Sequence, residues 1–173
     1  MKIAILSDTH RKTSLMQEAI DMLKTKGANF LIHAGDLEIK ENLDMLQNSN
    51  LRYVAVFGNN DYNLIQYQNS YNIFKEPNYF KLVNKKFKLM HMPYYMSNDT
   101  DIVIFGHTHY FEVDYKNGTL YINPGEICAR NQNLTQCVLL EILEDRYIIN
   151  RYFKSPTAKI WDCKTISYII DRD

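Results

Sequence analysis

The sequence lacks the marks of several large classes of protein. Its 173 residues contain only three cysteines, and no two of them have the Cys-x-x-Cys spacing. An odd number without this spacing excludes a disulfide framework and a zinc knuckle, and it favours reduced thiols in the cytoplasm. No apolar run approaches the roughly 18 residues that cross a bilayer, and the apolar start at residues 3–6 is too short for a signal peptide. We therefore expect a cytoplasmic protein without a membrane partner.

The chain also lacks a surplus of charge of either sign. Its 20 basic and 20 acidic residues give a formal net charge of +0. This balance disfavours nucleic acid as a partner, because phosphate backbones usually require several lysines or arginines. The only tight basic cluster, Lys85, Lys86 and Lys88, is expected to be a solvated hairpin turn. With 46% hydrophobic and 23% charged residues, we expect one globular domain over residues 1–173, with residues 155–173 as its C-terminal extension.

The first half of the chain alternates between strand-like and helical patterns. The strand-like segments are residues 2–8, 30–34 and 51–57, and the helical segments are residues 14–26 and 39–46. Ser14 and Gln17 have the spacing of a capping box at the start of the first helix. Strand–helix–strand alternation of this length predicts parallel strands joined by right-handed crossovers.

The second half reads mainly as β-structure. Strand-like segments occur at residues 80–83, 87–91, 102–105, 111–115, 119–122, 137–142 and 147–153, with one more expected near residues 159–163. Asn117-Gly118 is a strong signal for a hairpin turn. Two packed sheets with helices outside them would accommodate both halves of the chain.

Four of the five histidines lie with aspartates and asparagines just after strand-like segments. The segments are Asp8-Thr9-His10, Gly35-Asp36, Gly58-Asn59-Asn60-Asp61, His91, and Gly106-His107-Thr108-His109. Each alone has an ordinary reading as a turn, a helix cap or a hydrogen-bonded histidine. Together they supply seven nitrogen and oxygen ligands to strand ends that can meet at one sheet edge. Such a mixed set without thiolate favours Mn, Fe, Zn or Co over Ca.

Two of these segments have ligands two residues apart. Because residues i and i+2 of an extended segment point the same way, Asp8 and His10 are expected to bind one metal together. His107 and His109 follow another strand, where each could serve a different metal. His33, which lies within a strand, is expected to support a neighbouring ligand or to belong to the core.

The order and spacing of these segments resemble those of the calcineurin-like metallophosphoesterases, close to their small YfcE-like phosphodiesterase branch. The family signature is D-x-H, G-D, G-N-(H/D/C)-(D/E), H and G-H-x-H, and the resemblance runs from residue 2 to about residue 130. It implies an α/β fold, a four-layer αββα sandwich of two packed mixed β-sheets flanked by helices. It also implies two divalent metal ions, manganese first, with nickel, zinc, iron or magnesium as alternatives. The implied ligands are Asp8, His10, Asp36 and His109 for the first ion, and Asp36, Asn59, His91 and His107 for the second.

The resemblance predicts a binuclear metal-dependent phosphoesterase, foremost a phosphodiesterase, that hydrolyses a small phosphate ester with a metal-activated hydroxide. Asn60 and Asp61 are the predicted catalytic residues, with Asp61 orienting Asn60 or a ligand. Many larger relatives have histidine in the place of Asn60, and its absence favours a leaving group that needs little protonation. Asn60 and Arg130 are predicted to contact the substrate, although a surface salt bridge is an equal interpretation of Arg130. Glu126 stands where the branch has serine, and it is expected to repel a dianion or to recognise a cationic or hydroxyl-bearing group.

Other functions stay open at this stage. A non-catalytic protein-interaction scaffold is one, as in the retromer subunit of the same fold, and seven intact ligands disfavour it. A nuclease would need a basic groove, and a phosphoprotein phosphatase is a further alternative. The apolar residues of the 155–173 extension would allow a homo-oligomer, although packing on the chain's own core is the simpler expectation.

Overall fold

The computed structural model describes residues 1–170. The helices are α1 (Thr13–Thr25), α2 (Lys40–Asn48) and a 3₁₀ helix (Tyr62–Tyr67). The strands are β1 (Lys2–Leu6), β2 (Phe30–His33), β3 (Arg52–Val56), β4 (Ile73–Phe74), β5 (Asn78–Leu82), β6 (Lys85–Leu89), β7 (Ile102–Ile104), β8 (Phe111–Lys116), β9 (Thr119–Pro124), β10 (Thr135–Ile142), β11 (Arg146–Lys154) and β12 (Asp162–Ile169).

The larger sheet has seven strands in the order β12-β11-β10-β1-β2-β3-β4. Strands β1 to β4 run parallel, as the strand–helix alternation predicts. Strand β10 pairs antiparallel with β1, with Ile3 opposite Leu140, and brings the C-terminal hairpin into the sheet of the N-terminal half. The parallel arrangement places the loops after β1, β2 and β3 side by side at one edge of the sheet.

The smaller sheet has five strands in the order β5-β6-β7-β9-β8. Its central strands β6, β7 and β9 are parallel, and each outer strand pairs antiparallel as one arm of a predicted hairpin. Both sheets are therefore mixed. Strands β6 and β7 end in the loops that carry His91 and the two histidines of Gly106–His109.

The main core lies between the two sheets. It contains alternate residues of their strands, among them Ile3, Ile32, Phe87, Ile104 and Ile122, all fully buried. A second apolar cluster joins α1 and α2 to the opposite face of the seven-stranded sheet. The α/β class with two packed mixed sheets is thus confirmed, because alternate side chains of β1 and β2 have an apolar layer to face on each side.

The outer face of the five-stranded sheet carries no helix in residues 1–170, and the irregular segment 92–101 covers it. Lys88 Nζ donates to the backbone oxygens of Tyr95 and Ser97, both at 3.0 Å, and forms an ion pair with Asp99. Lys88 is fully buried, so the prediction of a solvated lysine cluster was wrong for this residue. In place of the helical layer that the resemblance implies on this side, the described structure has the loop at residues 92–101, which hydrogen-bonds to the buried ammonium group of Lys88.

The start of α1 differs from the predicted capping box. Lys12 is the N-cap residue, and no side chain caps the helix there. Ser14 lies inside the first turn, and Gln17 donates from Nε2 to Asp21 Oδ1 at 2.9 Å instead of reaching back to the helix start. The i,i+4 contact along the helix has replaced the reciprocal cap.

The C-terminal strand also begins later than predicted. Strand β12 pairs antiparallel with β11 over residues 162–169, whereas residues 159–161 precede it. Tyr168 and Ile170 pack on the core between the sheets, while Ile160 and Ile169 are exposed. The described part of the extension thus adds a strand to the seven-stranded sheet, and residues 171–173 lie outside the described range.

Two further predictions concern the described residues directly. All three cysteines are free thiols, with Cys128 and Cys137 buried and Cys163 exposed. Neither α-helix within residues 1–170 has the length and apolar run required to cross a bilayer.

Candidate metal centre

Side chains that follow five different strands meet at one edge of the two sheets. The loops after β1 and β2 are joined by Asp8 N donating to Gly35 O at 3.0 Å and by His10 N donating to Asp36 O at 2.8 Å. The loop after β7 joins them through His107 N, which donates to Asp8 Oδ2 at 3.1 Å. All seven predicted ligands lie in this cluster: Asp8, His10, Asp36, Asn59, His91, His107 and His109.

The loops reach this arrangement through left-handed backbone conformations. Residues with positive φ include Asp8 (53°) and His10 (49°) after β1, and His107 and His109 (both 66°) after β7. The extended geometry predicted for Asp8 and His10 was therefore wrong, because β1 ends at Leu6, before its first ligand. Non-glycine residues pay for this conformation, of order 1–3 kcal/mol each, and such strain clusters at functional sites.

Two glycines allow the loops to approach one another closely. An added Cβ on Gly58 would collide with the carboxylate of Asp36, and one on Gly106 would collide with Ser7 Oγ. The glycines of the G-N-N-D and G-H-T-H segments are thus required by the contact between neighbouring loops.

Four residues form what we call the closed side of the centre: Asp8, His10, Asp36 and His109. All four are buried, with at most 8% of the residue surface exposed. His109 Nε2 lies 3.3 Å from Asp8 Oδ1, and His10 Nε2 lies 3.8 Å from Asp36 Oδ2. The two imidazole rings stack with their centroids 5.4 Å apart. The closed side thus presents two carboxylates and two imidazoles within one pocket of the fold.

Each histidine of the closed side hydrogen-bonds through Nδ1 to a carboxylate. His10 Nδ1 lies 2.6 Å from Glu38 Oε1, and His109 Nδ1 lies 2.5 Å from Glu126 Oε2. An ionised carboxylate can only accept a hydrogen bond, so Nδ1 is the donor in both pairs. In the neutral imidazole this leaves the Nε2 lone pair directed into the centre, which is the tautomer that binds a metal through Nε2.

Glu126 is fully buried and does not face a substrate. Burial opposes its charge, but hydrogen bonds from His109, the Gln132 and Asn131 backbones and the Cys128 thiol lower the pKa of Glu126 to about 2. The expectation that Glu126 repels or recognises part of the substrate was wrong. The sequence at this position had too little context to show that the side chain turns inward and meets His109.

The open side of the centre, as we call Asn59, His91 and His107, is built differently. His91 Nδ1 donates to the backbone oxygen of Ala34 at 2.8 Å, which leaves its Nε2 lone pair 3.6 Å from Asp36 Oδ1. Asn59 Oδ1 lies 2.9 Å from His91 Nε2 and 3.0 Å from His107 Nδ1. His91 is buried, whereas Asn59 is exposed and His107 is half-buried.

The donor set fits divalent metal ions. Among the described residues, Asp8 Oδ1 and His10 Nε2 are buried without a hydrogen-bond partner. Asp8 Oδ1 instead faces the lone pair of His109 Nε2, an arrangement that a cation between them would make favourable. Ligand atoms of Asp8, Asp36 and His91 also lie within 4.8 Å of one another. Buried lone pairs that converge without a proton between them are the arrangement that a metal site requires.

Asn60 and Asp61 support the centre from the loop after β3. Asn60 donates to Asp36 from its backbone N, at 2.9 Å, and from Nδ2, at 2.7 Å. Asp61 accepts the backbone N–H groups of Gly58, Asp36 and Glu38 at 2.8, 2.9 and 2.6 Å. Asp61 therefore orients the backbone of the candidate ligand Asp36, which is one of its two predicted roles. None of these three hydrogen bonds involves the Asn60 side chain, so they do not support the other role, orienting Asn60.

The sequence predicted a substrate contact or a salt bridge for Arg130, and a supporting or core role for His33. Arg130 lines a cavity next to His10 and forms no salt bridge with another described residue, so the salt-bridge interpretation was wrong. His33 is buried and bonds Thr9 Oγ1 through Nε2 at 2.8 Å, while its Nδ1 accepts Gly35 N–H at 3.2 Å. Neither partner of His33 is a predicted ligand, and the residue is fully buried, as the core interpretation expects.

The site also contains Glu38 and Cys128, which were not among the predicted site residues. Glu38 follows Asp36 by two positions, the same spacing that separates Asp8 from His10, and this repeat was a usable signal. Cys128 Sγ donates to Glu126 at 3.1 Å, and burial raises the pKa of its thiol to about 12. A protonated thiol is a poor metal ligand, and no spacing pattern marks Cys128 in the sequence.

Comparison with known proteins agrees with this geometry. The calcineurin-like phosphoesterase superfamily domain matches residues 1–145. The phosphodiesterase MJ0936 of Methanocaldococcus jannaschii is 28% identical over 160 residues, which cover 85% of this chain and 96% of that protein. A Vps29 single mutant from Entamoeba histolytica has a TM-score of 0.77 at 24% identity, covering 97% of this chain and 99% of its own. YfcE, a phosphoesterase from E. coli, has a TM-score of 0.68 at 19% identity, covering 85% and 91%.

A domain match over most of the chain, together with the arrangement of the candidate ligands, defines the class of protein. The chain belongs to the calcineurin-like phosphoesterase superfamily. The family predicted from the dispersed signature is confirmed, and a phosphoesterase of the small YfcE-like branch shares its fold.

Proposed function

We propose that this protein is a metal-dependent phosphodiesterase with two divalent ions at the centre, acting on a small phosphate ester. The observation that carries the proposal is the convergence of lone pairs on the closed side. Asp8 Oδ1 and His10 Nε2 are buried without hydrogen bonds to described residues, and Asp8 Oδ1 faces His109 Nε2 at 3.3 Å. Hydrogen bonding among the described residues alone does not satisfy this cluster, whereas bound cations would.

The proposed ligands divide between the two sides. The closed side, Asp8, His10, Asp36 and His109, would hold one ion. Asp36 with the open side, Asn59, His91 and His107, would hold the other. Bound there, two divalent cations would supply Lewis-acid charge for the phosphate and lower the pKa of water. The mixed oxygen and nitrogen set suits manganese, and it also accepts nickel, zinc, iron and magnesium.

The chain's own residues would orient the reactants. Asn60 holds both oxygens of Asp36, so it fixes the carboxylate that both ions would share. The N–H protons of its amide are not acidic enough to be transferred to a leaving group. We therefore propose a substrate whose leaving group is acidic enough to depart without protonation, such as a phenol or another acidic alcohol. Asn60 and Arg130 remain the proposed substrate-binding residues.

The first test is hydrolysis of bis-p-nitrophenyl phosphate by metal-stripped protein titrated with Mn²⁺, Ni²⁺, Zn²⁺ and Mg²⁺. The Asp36→Ala variant should lose at least about 10³-fold in kcat/KM, because both ions lose a ligand. Asp114→Ala is the matched control, since Asp114 is exposed on β8 and pairs only with Lys116. Preference for p-nitrophenyl phosphate would change the proposal to a monoesterase. No hydrolysis with any metal would refute the enzyme.

A non-catalytic scaffold is the second candidate function, and the high structural similarity to Vps29 favours it. It predicts stoichiometric metal binding without hydrolysis of either ester. A cytoplasmic location, the absence of a nucleic-acid partner and a homo-oligomer stay predictions from the sequence. Sedimentation of the purified protein would test the oligomer.

A further inference from the structure

A cavity of about 520 Å³ lies beside the closed side of the centre. Ligand cavities commonly measure roughly 300–1,000 Å³, so its volume suits a small molecule. Its walls include His10 and Cys128 from the site and the apolar side chains of Leu15 and Pro156. Pro156 belongs to the segment between β11 and β12, so the C-terminal extension helps to build it.

Three basic side chains line this cavity: Arg11, Lys12 and Arg130. The only acidic residue in its lining is Glu38, and that carboxylate is already engaged. Glu38 Oε1 lies 2.6 Å from His10 Nδ1, and Arg11 Nε donates to Oε2 at 3.3 Å. Lys12 and Arg130 form no salt bridge within the described residues. The cavity therefore carries two cationic groups whose charge is not paired with any described acidic residue.

The cavity is separate from the place where a phosphate would contact both ions. Of the seven proposed ligands, His10 alone belongs to its lining, and the open-side residues Asn59, His91 and His107 do not. A phosphoryl group shared between the two sides of the centre would leave this volume free. A substrate held there could extend past His10 into the cavity.

We propose that the cavity binds a second phosphate of the substrate, so that the preferred diesters carry a further phosphate beyond the one that is cleaved. This inference rests on the proposed function and specifies its substrate class. Lys12 and Arg130 would contact the second phosphate, and Leu15 and Pro156 would contact the apolar body that joins the two phosphates. Phosphate oxygens suit both cations, since charge-assisted hydrogen bonds are the stronger kind.

The experiment compares two chromogenic esters that differ in one group. Thymidine 5′-(p-nitrophenyl phosphate) has a single phosphate, and its 3′-phosphorylated form has a second. The metal-loaded protein should cleave the 3′-phosphorylated ester with the higher kcat/KM. The ratio of the two kcat/KM values should fall about tenfold or more in Lys12→Gln and in Arg130→Gln, chiefly through KM.

Lys26→Gln is the matched control, because Lys26 is exposed at the opposite end of α1 from Lys12. It should leave the ratio unchanged. A ratio near one in the unmodified protein, or a ratio that neither cavity variant alters, would overturn the inference while the proposed function stands.

Binding provides a readout that needs no turnover. Calorimetry on the metal-loaded protein should show tighter binding of thymidine 3′,5′-bisphosphate than of thymidine 5′-monophosphate, by about tenfold, with the difference lost in Lys12→Gln. Equal affinities would overturn the inference even for a protein that hydrolyses none of the esters. Failure to cleave bis-p-nitrophenyl phosphate, in contrast, concerns only the proposed function.

Discussion

The two sides of the centre use similar residue types in different surroundings. On the closed side every proposed ligand is buried, and both histidines donate a hydrogen bond from Nδ1 to a carboxylate, that of Glu38 or Glu126. On the open side Asn59 is exposed, and His91 Nδ1 donates to a neutral acceptor, the backbone oxygen of Ala34. A carboxylate behind an imidazole makes it a more basic ligand and fixes its ring. We therefore expect the closed side to bind its metal more tightly and the open side to exchange metal and admit substrate.

Under the proposed function, this difference would let one site retain a metal ion on its closed side and admit substrate on its open side. The closed side lies where the loops after β1, β2 and β7 hydrogen-bond to one another. The open side lies where the loop after β3 meets solvent. A catalytic metal needs a coordination position that its protein ligands leave free, and under the proposed function the open side would provide it.

The largest expected effect comes from removing one ligand from each side. Asn59→Ala should leave one tightly held metal per chain, whereas Asp8→Ala should remove the tightly held one. Both variants should lose at least about 10³-fold in kcat/KM on bis-p-nitrophenyl phosphate. Metal content after exhaustive dialysis, read by atomic emission, distinguishes them. Retention of tightly bound metal in Asp8→Ala would show that the two sides have been assigned in the wrong order.

An intermediate effect should follow from Glu126→Gln. The variant keeps the shape and the oxygen that accepts the backbone N–H groups of Asn131 and Gln132, but it removes the charge behind His109. The affinity of the tighter site should fall about 10–100-fold while the weaker site is little changed. Competition with a chromogenic chelator measures both affinities. Glu144→Gln, at an exposed position, is the control, and an equal loss at both sites would contradict the comparison.

The smallest expected effect concerns His33, beneath the closed side. Burial lowers the pKa of His33 to about 3 from 6.5, because a charged imidazole is disfavoured there. Below pH 6.5 the unfolded chain takes up a proton that the folded chain does not, so stability present above that pH is lost on acidification. The loss should approach about 1.4 kcal/mol per pH unit.

Urea unfolding of chelated protein between pH 7.5 and 4.5 measures this dependence. His33→Gln should show a shallower decline than the unmodified chain, since the other ionisable groups are common to both. Parallel declines would mean that His33 does not stay neutral beneath Thr9 in the folded protein.

Local patterns in the sequence anticipated much of the fold. Alternation of apolar strands with a 3.6-residue helical period predicted β1 to β3 and α1, since burial on both faces demands such runs. Asn117-Gly118 predicted the hairpin of β8 and β9. Prediction failed where a distant partner decided the outcome. The buried ammonium group of Lys88 depends on the loop at residues 95–99, which no local pattern reveals.

The sequence by itself determined the family, the identity of the seven candidate ligands and the absence of a disulfide framework, because these depend on residue type, order and spacing. The tertiary structure decided how those candidate residues are arranged and which side chains hydrogen-bond to them. It turned Glu126 inward onto His109, placed Glu38 behind His10, and left Lys12 and Arg130 around a cavity. The physical reason is that burial and hydrogen-bond geometry arise from loops that meet only when two sheets pack together.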